Sequence, residues 1–359
     1  MAETVWDQSG FRARVQAALA AFLDEQGERL ASLGPDAARL LAEARASVSG
    51  GKRFRAAFCY WGYQTVGGAP EDERADDALV RACAALELLH ASALVHDDYM
   101  DASDTRRGRP ATHRGFAEGH RAAGWRGDPE QYGASAAILL GDLLLGWSGE
   151  MFHRCGLSVE RVLGALDVFD RCRTEVIAGQ FLDVSVQARG RADVDAAMTV
   201  LRYKSAKYSI ERPLHIGATL AGGDSSHLAR LSAFGLPLGE AFQLRDDLLG
   251  VFGDPSTTGK PAGDDLVEGK RTVLVALAMD SAPAADAARL DASLGTPLTD
   301  ADVAELRRII DDSGAHAQLE HVIGELAKTA TNALAEADLN PRAHDVLLEL
   351  ASAATHRAV

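Results

Sequence analysis

The sequence predicts an all-α fold, a single-domain bundle of about 12 helices. Three observations carry that prediction. Apolar residues recur at spacings of three and four through almost every segment, alanine and leucine are abundant, and no convincing period-two run marks a strand. Four helices, at 9–32, 36–47, 54–66 and 74–103, follow from this spacing, and the fourth holds the apolar run Ala82 to Val95, interrupted only by Glu87, His90 and Ser92. The helix at 134–154 contains the most apolar stretch, Ala134 to Trp147, interrupted by Asp142. Ser158 followed by Arg161 starts a helix over 158–187. The next, 193–221, contains Pro213, which should kink or divide it. Helices at 225–252 and 270–280 follow, then 299–312 after the cap signal Thr299-Asp300, 315–336, and 341–355 opened by Asn340-Pro341. Residues 1–9 are expected to be a flexible tail and 1–359 one domain, because no linker and no tandem repeat divides the chain.

Composition narrows the function. With 47% hydrophobic residues among 359 the chain has ample material for a core. A formal charge of −15 argues against nucleic-acid or anionic-lipid partners, so an anionic substrate must be met by clustered cations or metals. Cys59, Cys83, Cys155 and Cys172 lack Cys-x-x-Cys spacing and sit in apolar helical contexts, which reads as reduced core thiols in a cytoplasmic protein. The acidic start, without an apolar run, predicts neither export nor a membrane span.

Three connections are read as loops. Gly108 to Gly133, with Gly115, Gly119, Gly124 and Gly127 between them among arginines and histidines, suits a lid or binding loop, as does the turn-rich Gly253 to Gly269. Asp280 to Pro297 looks like a surface connector.

The chemistry concentrates in two acidic clusters on apolar helices, Asp97-Asp98-Tyr99-Met100-Asp101 and Asp246-Asp247. Asp97 and Asp101, four residues apart, project from one helical face and can grip a hard cation together; without a metal such crowded carboxylates repel. Acidic residues on helices are more often merely solvated, but the apolar run before this cluster argues otherwise. Cations accompany both clusters. Gly50-Gly51-Lys52-Arg53-Phe54-Arg55 places three of them at a helix start, where free backbone N–H groups also favour an anion. Arg106-Arg107-Gly108-Arg109 brings guanidiniums close to Asp101, Lys204-Ser205 and Lys260 and Lys270 add further donors, and Gln243 lies one turn before Asp246 and Asp247. Together these describe a site for magnesium and diphosphate.

In order and spacing, these motifs resemble the trans-isoprenyl diphosphate synthases of the polyprenyl synthetase family, which includes farnesyl and geranylgeranyl diphosphate synthases. The resemblance implies a bundle around a deep apolar cavity, cytoplasmic location and a homodimer. It implies that Asp97, Asp101 and Asp246 bind Mg²⁺, three ions with substrate bound, that Asp98 and Asp247 support them, and that Arg106, Lys204, Lys260 and Lys270 contact an allylic diphosphate (dimethylallyl, geranyl or farnesyl). Lys52, Arg55, His90 and Arg107 would hold isopentenyl diphosphate, and Ser205 and Gln243 would help stabilise the allylic cation. Two departures stand out. Position 205 is serine where the family usually has threonine, and the second motif ends Leu248-Leu249-Gly250, without the family's last aspartate, a place that water could fill.

The resemblance implies head-to-tail condensation with release of diphosphate, which itself serves as the final base. Product length should depend on what blocks the pocket below Asp97. At about 1.5 Å rise per residue, Ala93 and Ser92 lie roughly 6 to 8 Å beneath it, and Leu89 and Leu86 roughly 12 to 16 Å. Short-chain members carry aromatic rings at the positions of Ser92 and Ala93. Small residues here point to geranylgeranyl diphosphate, with a floor at Leu89, Leu86 or a neighbouring helix; longer polyprenyl products are the alternative. A class I terpene cyclase would not need the Lys52, Arg55, His90 and Arg107 set, and a non-catalytic synthase subunit would not need both aspartate motifs with all the lysines.

Overall fold

The computed structural model describes residues 6–190, 193–253 and 263–355, and these are almost wholly helical. In order they form α1 (Gln8–Leu30), α2 (Pro35–Ser47), α3 (Phe54–Gly67), α4 (Glu73–Met100), α5 (Thr112–Ala122), α6 (Pro129–His153), α7 (Val159–Arg189), α8 (Val194–Leu201), a π-helical segment (Arg202–Glu211), α9 (Arg212–Leu220) and α10 (Ser225–Phe252). Then come the single turn α11 (Asp264–Val267), α12 (Val273–Ser281), α13 (Ala284–Ser293), α14 (Asp300–Asp312), α15 (Ala315–Glu336) and α16 (Pro341–Thr355). One minimal hairpin, β1 (Thr105–Arg106) with β2 (Arg109–Pro110), follows α4.

Side-chain caps start most of the long helices. Asp72, Asp128, Ser158, Asp224 and Thr299 each accept a hydrogen bond from a backbone N–H of the first turn, and Thr299 and Asp302 complete a reciprocal capping box. The starts expected at Ser158 and Thr299 are therefore made by the anticipated chemistry. The four cysteines are free and buried, as expected of core thiols.

Burial divides into two apolar clusters. The larger draws on α1, α3, α4, α6, α7, α9 and α16, with Trp61, Phe58, Phe152 and Phe169 among its fully buried members. The smaller gathers α8, α12, α14 and the first half of α15. Helix α10 serves both, through Leu231, Phe234 and Leu238 to one and Leu244, Leu248 and Val251 to the other. Among the described residues α4 is the one helix long and apolar enough to cross a membrane, and 78% of its apolar window is buried inside the protein.

The structure corrects several expectations. The run 108–133 is not a continuous loop: α5 lies within it and α6 begins at Pro129. Helix α5 buries Thr112, His113, Phe116, Ala117 and His120, a stripe at helical spacing. A Cβ on Gly133 would stand 2.2 Å from the His113 carbonyl oxygen, so the glycine is what lets α5 and α6 approach. The connector 280–297 contains α13, which buries only Leu290 and Ser293 and so leaves little apolar signal. The expectation of a flexible tail over 1–9 does not hold for residues 6–9, because Trp6 packs on Phe11 and Trp61 at 5.0 and 5.5 Å and α1 begins at Gln8; residues 1–5 lie outside the described residues. Of the run 253–269, residues 254–262, and Lys260 with them, lie outside the described residues.

The expected helix 193–221 is divided, though not by a kink at Pro213. Its middle, Arg202–Glu211, widens to π-helix and returns to α just before Pro213, which falls in the first turn of α9 where its missing N–H is best tolerated. Glycines clasp this wide segment from both sides. A Cβ on Gly179 of α7 would lie 2.3 Å from the Lys204 nitrogen, and one on Gly239 of α10 would lie 2.5 Å from the Ala206 carbonyl oxygen. Local π-helix of this kind recurs at functional sites.

Candidate active site

A cavity of about 1180 Å³ opens between α4, α6, α7, the π-helical segment and α10. Its lining brings together residues far apart in sequence: Lys52, Arg55 and His90; Asp97, Arg106 and Arg107; Lys204 and Ser205; Gln243, Asp246 and Asp247; and Lys270. Ser92, Ala93 and Leu89 line its apolar part, with Leu145, Val176 and Ile177 from neighbouring helices, whereas Leu86 is buried elsewhere and is not part of the wall. Asp98 and Asp101 stand just behind the surface, each tied to a cation that lines it.

The first acidic cluster ends α4, where the helix dipole already disfavours negative charge. Cations compensate. Lys204 Nζ lies 2.9 Å from Asp97 Oδ1 and 2.6 Å from Asp183 Oδ2, and Gln180 Nε2 donates to Asp97 Oδ1 at 2.8 Å. Burial by itself would raise Asp97, but the Lys204 and Lys270 ammoniums outweigh it and hold this carboxyl well below the usual range. Asp101 is different: burial first, then the Asp97 charge, push it up to about 7. Its side chain is 3% exposed, neither oxygen accepts a hydrogen bond, and Lys270 Nζ stays 3.6 Å away. Asp98 accepts from Arg106 Nε at 2.8 Å, an ion pair that fixes the hairpin after α4.

The second cluster is on α10. Gln243 Nε2 donates to Asp247 Oδ1 at 2.9 Å, leaving the amide carbonyl as the end available to positive charge. Burial raises Asp247 to about 8 despite that bond. Lys270 lies 3.2 Å from Asp265 Oδ1 and 2.5 Å from Glu268 Oε2, and the surrounding carboxylates raise its pKa against the opposing effect of burial.

The third group collects around the start of α3. His90 shares a 2.6 Å hydrogen bond between Nδ1 and the Tyr208 hydroxyl; burial first, and then Arg55 and Arg107, hold it far below its usual pKa, so the ring is neutral. Arg55 lies 4.2 Å over the Tyr208 ring and donates to Ser209 Oγ at 2.8 Å, while its buried Nε has no acceptor. Arg107, at φ 52°, donates to the Ser49 carbonyl at 2.6 Å. Arg53 serves differently from its neighbours: buried and at φ 57°, it binds Glu87 at 3.0 Å and Gln16 at 2.6 Å, which anchors the loop that carries Lys52 and Arg55.

Sequence reasoning missed Gln180, Asp183, Asp265 and Glu268. The signal existed for the first two, since Gly179-Gln180-x-x-Asp183 places two polar residues three apart on α7 directly after a glycine. Nothing local distinguished Asp265 or Glu268.

The buried, orphaned oxygens of Asp101 and the acceptor-only donor set Asp97, Asp101 and Asp246 fit a hard divalent cation. Among the described residues no three carboxylate, histidine or cysteine side chains stand close enough together to hold a metal by themselves. Such an ion would need further oxygen ligands, which a diphosphate could provide.

The chain matches a family model described as polyprenyl synthetase over residues 38–312. It is 34% identical over 296 residues, 81% of this chain and 83% of the relative, to a short chain isoprenyl diphosphate synthase of Methanothermobacter thermautotrophicus. It is 33% identical over 299 residues, 82% of this chain and 78% of the relative, to a geranylgeranyl diphosphate synthase of Mycobacterium tuberculosis. Among solved structures, a geranylgeranyl pyrophosphate synthase from Corynebacterium glutamicum, complexed with isoprenyl diphosphate and magnesium, superposes with a TM-score of 0.95 at 39% identity, covering 98% of this chain and 100% of that one.

Proposed function

Because this chain belongs to the polyprenyl synthetase family and is a trans-prenyltransferase, we propose that it condenses isopentenyl diphosphate head-to-tail with an allylic diphosphate to make geranylgeranyl diphosphate. The observation that carries this reading is that Asp97, Asp246 and Asp247 line one cavity together with Lys52, Arg55, Arg106, Arg107, Lys204 and Lys270. The allylic diphosphate, dimethylallyl, geranyl or farnesyl, is placed by Lys204, Lys270 and Arg106, with Lys260 as a further contact. Isopentenyl diphosphate is placed by Lys52, Arg55, His90 and Arg107, and the unpaired Arg55 Nε supports an anion there.

Asp97, Asp101 and Asp246, with Asp98 and Asp247 in support, would hold Mg²⁺, three ions with substrate bound, and the metal would supply Lewis-acid neutralisation of a departing diphosphate. The chain's own residues do the rest. Lys204 and Lys270 are charged and preorganised at the mouth, so neutralising a leaving anion costs little rearrangement there. The carbonyl of Gln243 and the hydroxyl of Ser205, both in the cavity lining, would stabilise the developing allylic cation. Leu89, Leu145 and Val176 present an apolar wall against water that would quench it. The double bond of isopentenyl diphosphate then attacks, and the released diphosphate takes the proton. No nucleophilic side chain is required.

Ser92 and Ala93 bring small side chains to the lining, and Leu89 lines it one turn farther from Asp97, which supports a twenty-carbon product; a longer polyprenyl product is the second reading. A terpene cyclase reading lacks a use for the Lys52, Arg55, His90 and Arg107 set, and a non-catalytic subunit lacks a use for the paired acidic faces. We further read residues 1–359 as one domain in a cytoplasmic homodimer. Ile138 and Leu139 on α6 and Ile177 and Phe181 on α7 are exposed, at 44%, 61%, 54% and 70%, and Ile177 and Phe181 also line the cavity, so a second copy covering them would close its wall. Light scattering on the purified chain tests the dimer. Radiolabelled isopentenyl diphosphate with Mg²⁺ and each allylic primer in turn, products separated by length, tests the reaction; no incorporation with any primer refutes it.

A further inference from the structure

We propose that Asp265 supplies the carboxylate that the second aspartate motif lacks at position 250, so that the acidic group on this side of the cavity is Asp246, Asp247 and Asp265. The inference deepens the functional reading above and rests on it. In Asp246-Asp247-Leu248-Leu249-Gly250, position 250 is one helical turn beyond Asp246, where a side chain would share its face. Gly250 contributes no side chain, yet the space is filled. A Cβ built there would lie 1.9 Å from Asp265 Oδ2 and 2.4 Å from its Cγ, so the carboxylate of α11 occupies the point at which a residue-250 side chain would begin. Gly250, Asp265, Asp246 and Asp247 all line the cavity.

The placement is held from behind. Leu266, next to Asp265, is fully buried in the smaller core, and the Lys270 N–H donates to the Asp265 carbonyl at 3.0 Å, closing the turn between them. The same turn sets the Lys270 ammonium between Asp265 on one acidic face, at 3.2 Å, and Asp101 on the other, at 3.6 Å. Asp101 is the independent sign of a ligand: its side chain is 97% buried by the complement of its 3% exposure, and both oxygens go without a hydrogen bond. The Lys270 ammonium donates to Asp265 but leaves Asp101 without a hydrogen bond, a need that a divalent cation would meet. Water is therefore not needed at the place of the missing aspartate, and glycine at 250 is a requirement: any side chain there would displace Asp265.

The test titrates Mg²⁺ into the full-length protein with inorganic diphosphate present and reads the rise in Tm. Asp265→Asn is expected to raise the Mg²⁺ midpoint by about tenfold or more, and Gly250→Asp to do the same, because two carboxylates then compete for one space. The double exchange Gly250→Asp with Asp265→Gly should return the midpoint to within about threefold of the parent. An unchanged midpoint in Asp265→Asn, or an exchange no better than either single variant, overturns the proposal. Should Asp265→Asn fail to fold, the exchange, which preserves the number of carboxylates, still decides. A parent protein with no Mg²⁺-dependent shift in the presence of diphosphate would instead count against the functional reading itself.

Discussion

Lys204 Nζ lies 2.9 Å from Asp97 Oδ1, joining the π-helical segment to the end of α4 across the mouth of the cavity. With Asp183 at 2.6 Å on its other side, this one ammonium sits between two carboxylates that are 17% and 12% exposed. It stands where positive charge is required before any substrate arrives.

Lys204→Ala should therefore act in two ways. It removes a fixed cation from the leaving diphosphate, for which we expect a fall in kcat of roughly 10²-fold. It also leaves two largely buried carboxylates without their cation, costing about 2 to 3 kcal/mol in metal-free buffer. Added Mg²⁺ should recover part of the lost stability without restoring kcat, because the cation can neutralise Asp97 but cannot replace a donor to the leaving group. Steady-state kinetics and Tm with and without Mg²⁺ check both; a variant with parental kcat refutes the role.

Gly179→Ala should injure the site through its backbone. The added methyl would meet the Lys204 nitrogen at 2.3 Å, and a backbone atom cannot swing aside, so the π-helical segment must shift and carry Lys204 and Ser205 with it. Overpacking of this kind costs about 1 to 3 kcal/mol. Gly217→Ala, whose methyl would meet the Cys59 carbonyl oxygen at 1.9 Å between α3 and α9, provides a comparison away from the lysine. For a similar loss of Tm, Gly179→Ala should lose at least about tenfold more kcat.

Ala93→Phe should shorten the product. Ala93 lines the cavity, and a ring there would narrow the path roughly one helical turn below Asp97. Ser92→Phe should shorten it as well, at a greater cost in stability, because Ser92 is 3% exposed and its hydroxyl donates to the Gly141 carbonyl at 2.8 Å, where α4 and α6 cross closely. Product analysis with farnesyl diphosphate as primer checks this; an unchanged product spectrum in both variants defeats the placement.

His215 should make stability depend on pH. Burial first, with the Glu211 and Arg212 charges acting in opposite senses, leaves it depressed from 6.5 to about 4, so the folded protein binds its proton less readily than the unfolded chain. That contribution is fully present above about pH 6.5 and is lost as pH falls toward 4, on the order of 2 to 3 kcal/mol. His215→Gln removes the titration. The difference in unfolding free energy between parent and variant should grow in the parent's favour from pH 4 to 6.5 and stay level above that; a constant difference refutes it.

Much of the fold and the site was legible in the chain itself. Helical periodicity is a local property, and carboxylates four apart on an apolar helix share a face whatever surrounds them, so the α class, the helix starts at Ser158 and Thr299, and the motifs around Asp97, Asp246 and Lys204 could be read directly. The glycine-rich stretch at 108–133 misled because a glycine that breaks a helix and one that lets two helices touch look alike in sequence; Gly133 against His113 is decided by a neighbour. Helix α13 escaped because it buries almost nothing.

What only the tertiary structure decided was pairing between groups distant along the chain. Asp97 with Lys204 and Gln180, Arg53 with Glu87, and Asp265 over Gly250 are relations across separate helices. Sequence patterns specify which face of a helix is apolar or charged, because side-chain direction follows from local geometry. They do not specify which two faces meet, since that depends on packing all the helices at once, and the electrostatics of a buried carboxylate depend on what it meets. Asp98 and Asp101 stand three residues apart in one motif, yet packing binds one to Arg106 and leaves the other without a hydrogen bond.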